Sequence, residues 1–173
     1  MSFPKKLQSL LEKRRSENNF RSLSLPNPQL IDFSSNDYLG FSKSPELYEL
    51  KNDLLKQYNI NQQGSTGSRL ITGNSQIHLD AEQQIAAFHH AEKALLFNSG
   101  YDANVGLLSS VPQRGDVVLY DELSHASIID GIRLSFATAY KFKHNDVAHL
   151  QELLEKNRDA TTLYVVTESV FSM

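Results

Sequence analysis

Apolar residues return every three or four positions at the start of the chain: Phe3, Leu7, Leu10 and Leu11, with Lys, Glu and Arg between them. That spacing puts them on one face and predicts a short N-terminal helix running to about Asn18. Ser22 to Leu30 carries Pro26 and Pro28 and reads as an irregular connector. Ile31-Asp32-Phe33 reads as a brief strand and Ser34 to Gly40 as a polar turn. Pro45 to Tyr58 reads as a helix, its proline suited to the first turn. Gly64 to Ser75 is a long glycine-bearing loop of the kind that is functional or mobile in compact domains. Ser75 suits the cap of the next helix, Gln76 to His89, whose apolar stripe is Ile77, Ala81, Ile85 and Phe88.

Beyond His89 the pattern alternates. Apolar runs at 94–97, 117–120, 139–142 and 162–167 read as strands, separated by helical stretches at 102–110, 126–135 and 146–156. This alternation predicts an α/β protein with a mostly parallel sheet and crossover helices. Such a sheet, stopping one loop past its last strand, reads as interrupted, so the 173 residues are expected to be part of a longer polypeptide.

Composition narrows the class. A chain of 173 residues suffices for one ordinary domain, and 40% hydrophobic with 21% charged residues fits a soluble globular protein. A formal net charge of −3 gives no general attraction to nucleic acid. Cysteine is absent, which excludes disulfides and thiolate metal sites, and the histidines form no convincing metal set. Met1 to Lys6 leads into a charged amphipathic segment rather than an apolar signal core, and no apolar run approaches the roughly 20 residues of a membrane span. A cytoplasmic protein without membrane or nucleic-acid partners is expected.

Two junctions carry candidate chemistry. Asn98-Ser99-Gly100-Tyr101 closes an apolar run and opens a helix. A turn of small residues there leaves N–H groups pointing outward at the positive end of the helix dipole, a cradle for phosphate. His125, in Leu123-Ser124-His125-Ala126-Ser127, stands at a second strand-to-helix junction. An aromatic ring beside a phosphate cradle suits a flat phosphorylated cofactor. Other polar runs read as structural. His89-His90 ends a helix, and His144-Asn145-Asp146 shapes a turn with Asn145 or Asp146 as cap. Lys13 to Arg15 forms a solvated face, and Asp121-Glu122 supplies turn and cap residues. Lys141, three residues after Thr138, reads as a lysine leaving a strand into solvent.

Six runs together resemble the α-oxoamine synthases, pyridoxal-phosphate enzymes of the aminotransferase-like fold. They are Asp32–Gly40, Gly64–Leu70, Leu96–Tyr101, Leu123–Ser127, His144–Asp146 and Val166–Met173. The resemblance covers nearly the whole chain but only about the first half of the family's pattern. It implies that residues 1–45 are an N-terminal helix and connector, and that 46–173 begin the cofactor-binding large domain. It implies pyridoxal phosphate as cofactor, held by Ser99, Gly100, Tyr101 and Ser172, with His125 as the catalytic residue stacked on its ring and touching substrate. Arg21 and Asn36 would meet substrate, Arg21 at a carboxylate of the acyl chain, and Glu168 would lie near the active site. The implied reaction is a decarboxylating condensation of L-alanine with pimeloyl-CoA or a pimeloyl carrier protein to 8-amino-7-oxononanoate, CoA and CO2, a step of biotin synthesis, in a homodimer. The branch that joins glycine to acetyl-CoA is the alternative. The family's Schiff-base lysine, and the acidic residue that pairs with the pyridine nitrogen, lie downstream of position 173. The 173 residues alone are therefore expected to be inactive, and a truncated non-catalytic protein is a third reading.

Overall fold

The computed structural model describes residues 3–23, 25, 27–61 and 64–172. Expectations that touch positions 1–2, 24, 26 and 173 lie outside them. The chain divides into two compact units, residues 1–60 and 61–173.

In the first unit, α1 (Lys5–Ser16) follows from the leading apolar stripe, and Lys13, Arg14 and Arg15 in its last turn complement the helix dipole. Arg15 also lies over the ring of Phe20, 4.8 Å from its centroid. A 3-10 turn at Phe41–Lys43 leads to α2 (Pro45–Gln57), where the Ser44 hydroxyl accepts the Leu47 N–H at 3.2 Å. The strand expected at Ile31-Asp32-Phe33 is not formed. The Asp32 carboxylate accepts the Ser34 N–H (2.8 Å), the Ser34 hydroxyl (2.8 Å) and the Ser35 N–H (3.1 Å). An aspartate that binds its own downstream backbone competes directly with strand pairing.

The second unit begins with the glycine-bearing loop and α3 (Gln76–Phe88). Ser75 occupies the N-cap position, but its hydroxyl pairs with His78 Nδ1 at 2.7 Å instead of capping. The strand expected at 94–97 is replaced by irregular chain, because Leu96 N–H donates to the Glu82 carboxylate at 2.8 Å rather than to a ladder. Glu82 also receives both terminal nitrogens of Arg69, at 2.5 and 3.0 Å, and Arg69 Nε donates to Asn74 at 3.0 Å. One carboxylate thus ties the loop, α3 and the segment before α4 together. The Arg69 hydrogen bonds, followed by that from Leu96, hold its pKa down to about 2.

From there the alternation is as expected: α4 (Gly100–Ser110), β1 (Val117–Asp121), α5 (Ala126–Leu134), β2 (Thr138–Phe142), α6 (Val147–Lys156) and β3 (Leu163–Val166). α4 starts two residues earlier than its apolar pattern suggests. The sheet is parallel in the order β2-β1-β3, with Leu119 opposite Tyr140 and Val165. Alternate residues of β1 face opposite ways. Val118 packs with Leu108, Ile128 and Ile132 on the α4–α5 side. Val117 and Leu119 pack with Phe142 and the α6 leucines Leu150, Leu153 and Leu154 on the other. Each fully buried aliphatic side chain contributes about 1.5–3 kcal/mol. The unit is therefore α/β with helices on both faces of its sheet. No helix among the described residues is long and apolar enough to cross a membrane.

α4 packs tightly against α5 at Gly131. A Cβ there would stand 2.9 Å from the Asn104 carbonyl oxygen and 3.1 Å from Val105 Cα. Backbone cannot yield as a side-chain tip can, so Gly131→Ala should destabilise the protein by about 1–3 kcal/mol in denaturant melts. Equal midpoints for variant and parent would contradict this packing. A second expectation concerns acid. The folded-state pKa of Glu82 lies below its ordinary 4.5, so its contribution is complete above pH 4.5 and is lost as pH falls toward about 2. Urea midpoints should therefore drop more steeply for the parent than for Glu82→Gln across that window.

Candidate active site

In a parallel sheet all strands end at one edge, and the helices that follow them begin there. Asp121 closes β1, His144 follows β2, and Glu168 stands two residues beyond β3. His125 is the N-cap of α5.

Asp121 has no exposed surface. It accepts the Leu123 N–H at 2.9 Å, the Asn145 N–H at 3.3 Å and His144 Nδ1 at 3.0 and 3.1 Å. Burial pushes its carboxyl up, but these hydrogen bonds outweigh that and hold it below the ordinary range. The expected turn at Leu123 is present, but Asp121 caps no helix; it instead joins the β1–α5 turn to the β2–α6 turn. His144 stacks edge-on against Phe171 at 4.6 Å, and Asn145 takes a left-handed φ of 54°. Asp146 caps α6 through the His149 N–H at 2.9 Å.

At the start of α4, the Ser99 hydroxyl accepts the Asp102 N–H at 3.0 Å and donates to the Asp102 carboxylate at 2.9 Å. The N–H groups of Gly100 and Tyr101 have no partner among the described residues, and open space lies where a Gly100 Cβ would stand. The Tyr101 phenol turns away to donate to Asp130 of α5 at 2.6 Å, which raises its pKa. One turn into α4, Asn104 Nδ2 donates to the Ser127 hydroxyl at 2.9 Å. Ser127 lies 2.7 Å from His125 Nδ1, and its N–H donates to the same nitrogen at 3.2 Å. The His125 N–H donates to the Glu168 carboxylate at 2.6 Å. His125 is an exposed residue. Beside it, the buried Ser124 hydroxyl lacks a partner among the described residues.

The structure thus connects Ser99, Gly100, Tyr101 and His125 within one unit, through the contacts of α4 with α5. Ser172 is exposed in the irregular segment after β3 and makes no side-chain hydrogen bond among the described residues. Arg21 and Asn36 belong to the 1–60 unit and are exposed there. Lys141 is exposed on β2. Sequence reasoning missed Asn104 and Ser127. Ser127 carried a local signal, a hydroxyl two residues after an N-cap; the Asn104 contact spans 23 residues and carried none. Two open N–H groups at the start of α4, an orphaned hydroxyl and an exposed histidine on the adjoining helix together suit a planar phosphorylated group.

Comparison with known proteins agrees. The pattern of the family described as aminotransferase class I and II matches residues 28–173, so the chain belongs to that family. A Methanococcus vannielii protein provisionally named an 8-amino-7-oxononanoate synthase is 47% identical over 99% of this chain, which covers 45% of that relative. The chain spans less than half the length of the curated relatives it matches. Among solved structures, a serine palmitoyltransferase from S. paucimobilis with a bound PLP–myriocin aldimine aligns with a TM-score of 0.79 at 26% identity, covering 97% of this chain and 45% of that one. The 8-amino-7-oxononanoate synthase of Francisella tularensis aligns with a TM-score of 0.67 at 29% identity, covering 85% and 39%. The aminotransferase-like fold is thereby assigned.

Removing the Asp121 carboxylate leaves the Leu123 and Asn145 N–H groups without their acceptor. Asp121→Ala should cost about 1.5–3 kcal/mol of stability, the worth of hydrogen bonds to a charged acceptor. It should also release His144, seen as loss of its edge-on contact with Phe171 in NMR ring-current shifts.

Proposed function

We propose that the natural gene product is a pyridoxal-phosphate-dependent acyltransferase that condenses L-alanine with a pimeloyl thioester to 8-amino-7-oxononanoate. The single observation that carries the reading is the pairing of the open α4 N-terminus with the His125 imidazole in one unit. The family membership and the provisional names of the relatives support it. The Gly100 and Tyr101 N–H groups would hold the phosphate, and the ring of His125 would lie against the pyridine. When bound, the cofactor supplies an electron sink for charge developed at the amino-acid α-carbon. The chain's own residues orient it. Ser99 caps α4 and fixes its first turn, Glu168 holds the His125 backbone, and His125 offers a hydrogen bond to the amino-acid carboxylate. Ser172 would complete the cofactor site. Asn36 would contact substrate, and Arg21 would pair with the distal carboxylate of the pimeloyl chain. A homodimer in the cytoplasm completes the proposal, with 46–173 as the first part of the large domain.

The glycine-plus-acetyl-CoA reaction is the second reading, because the α5 sequence from Ala126 to Leu134 suits either branch. The test uses the natural gene product with both substrate pairs and identifies the product by mass. Turnover of alanine with pimeloyl-CoA is expected. Turnover only of glycine with acetyl-CoA assigns the second branch, and turnover of neither leaves the non-catalytic reading. His125→Ala removes a hydrogen bond to a charged group, worth about 1.5–3 kcal/mol. The expected loss in kcat/KM is therefore about 10–200-fold.

A further inference from the structure

The helix contact that the substrate reading leaves unused lies behind His125. Ser127 is fully buried, yet its hydroxyl is placed between two polar groups, His125 Nδ1 at 2.7 Å and Asn104 Nδ2 at 2.9 Å. A hydroxyl has one proton to give and lone pairs to receive with. Its direction is decided by the Ser127 backbone N–H, which points at the same His125 nitrogen from 3.2 Å. A proton on Nδ1 would set two N–H groups against each other. Nδ1 must therefore be the acceptor, the Ser127 hydroxyl must donate to it, and the hydroxyl oxygen must accept from the Asn104 amide. The relay runs in one direction only, from α4 through α5 to the imidazole, and the ring proton is left on Nε2. That nitrogen has no partner among the described residues, and the residue it belongs to is exposed.

We propose that Asn104 and Ser127 are positioning residues that fix His125 in its Nε2–H tautomer, so that the imidazole meets the substrate as a hydrogen-bond donor suited to a carboxylate. Gly131 belongs to the same device. Its missing side chain is what lets α4 come close enough for Asn104 to reach Ser127. The use of the tautomer rests on the function proposed above; the tautomer itself does not, and the two can be tested apart.

The experiment is proton–nitrogen correlation NMR on the chain carrying isotope-labelled histidine, at about pH 8.5, where an ordinary imidazole is neutral. The parent should show the Nε2–H pattern at His125. Asn104→Ala and Ser127→Ala should shift it toward a mixture of tautomers, and Ser127→Thr, which keeps the hydroxyl, should restore it. The His144 signals report that the fold is intact. An Nδ1–H pattern in the parent, or an unchanged pattern in both alanine variants with His144 unperturbed, would overturn the proposal. In the natural gene product, Asn104→Ala should lower kcat/KM for the amino acid about tenfold, with the acyl-donor KM unchanged. If the tautomer responds as expected but no amino acid is turned over, the substrate reading fails and the positioning stands.

Discussion

Burying β1 removes water from the peptide groups of Val117–Asp121, of which Val118, Leu119 and Asp121 are fully buried. Each N–H or carbonyl left unpaired there would cost about 1–3 kcal/mol, so the strand needs a ladder on both sides. Parallel neighbours need long crossovers, and α5 and α6 supply them. The apolar alternation of β1 then demands helices on both faces, because Val118 points one way and Val117 and Leu119 the other. Everything at the candidate site follows from this arrangement. Parallel strands end together, and so Asp121, His144, His125 and Glu168 gather at a single edge although the first and last of them stand 47 positions apart.

The parts of the fold that were legible in the sequence are those whose information is periodic. α1, α2, α3 and the run from α4 to β3 repeat apolar residues at helical or strand spacing over enough positions to be read. The two strands that failed to form were short apolar runs where a carboxylate claims backbone within the run or just beyond it. Asp32 takes the N–H groups of Ser34 and Ser35, two and three residues on, and so turns the chain where a strand at 31–33 would have had to continue; that rival was visible in the sequence. Glu82 takes the N–H of Leu96 across 14 residues, a partner that only the folded chain supplies. Asp121 makes the turn expected of it, but the cap was misjudged for the same reason. A carboxylate at a strand end resembles any turn residue until the loop after β2 is brought against it.

The candidate site divides along the same line. Ser99, Gly100, Tyr101 and His125 stand at element junctions, where turn chemistry and the change of period mark a position directly. Ser127, Asn104 and the hydrogen bond of Glu168 depend on which helices touch, which periodicity does not encode. The family resemblance located His125 without saying what orients it. The orientation comes from buried neutral groups on two helices, held at fixed spacing by a glycine that neither helix needs for its own sake.

Two helices, α4 and α5, open near one another, and each could in principle draw an anion. They are not equivalent. At α5 the N-cap amide is already spent on Glu168, and the first-turn N–H of Ser127 on the imidazole, so a negative charge arriving there would meet a carboxylate and find few free hydrogens. At α4 the serine cap satisfies one donor and leaves two. The protein selects between its own two positive poles by filling one of them, and a dianionic group entering this edge is steered by subtraction: the vacant pole remains attractive because its neighbour has been neutralised from within.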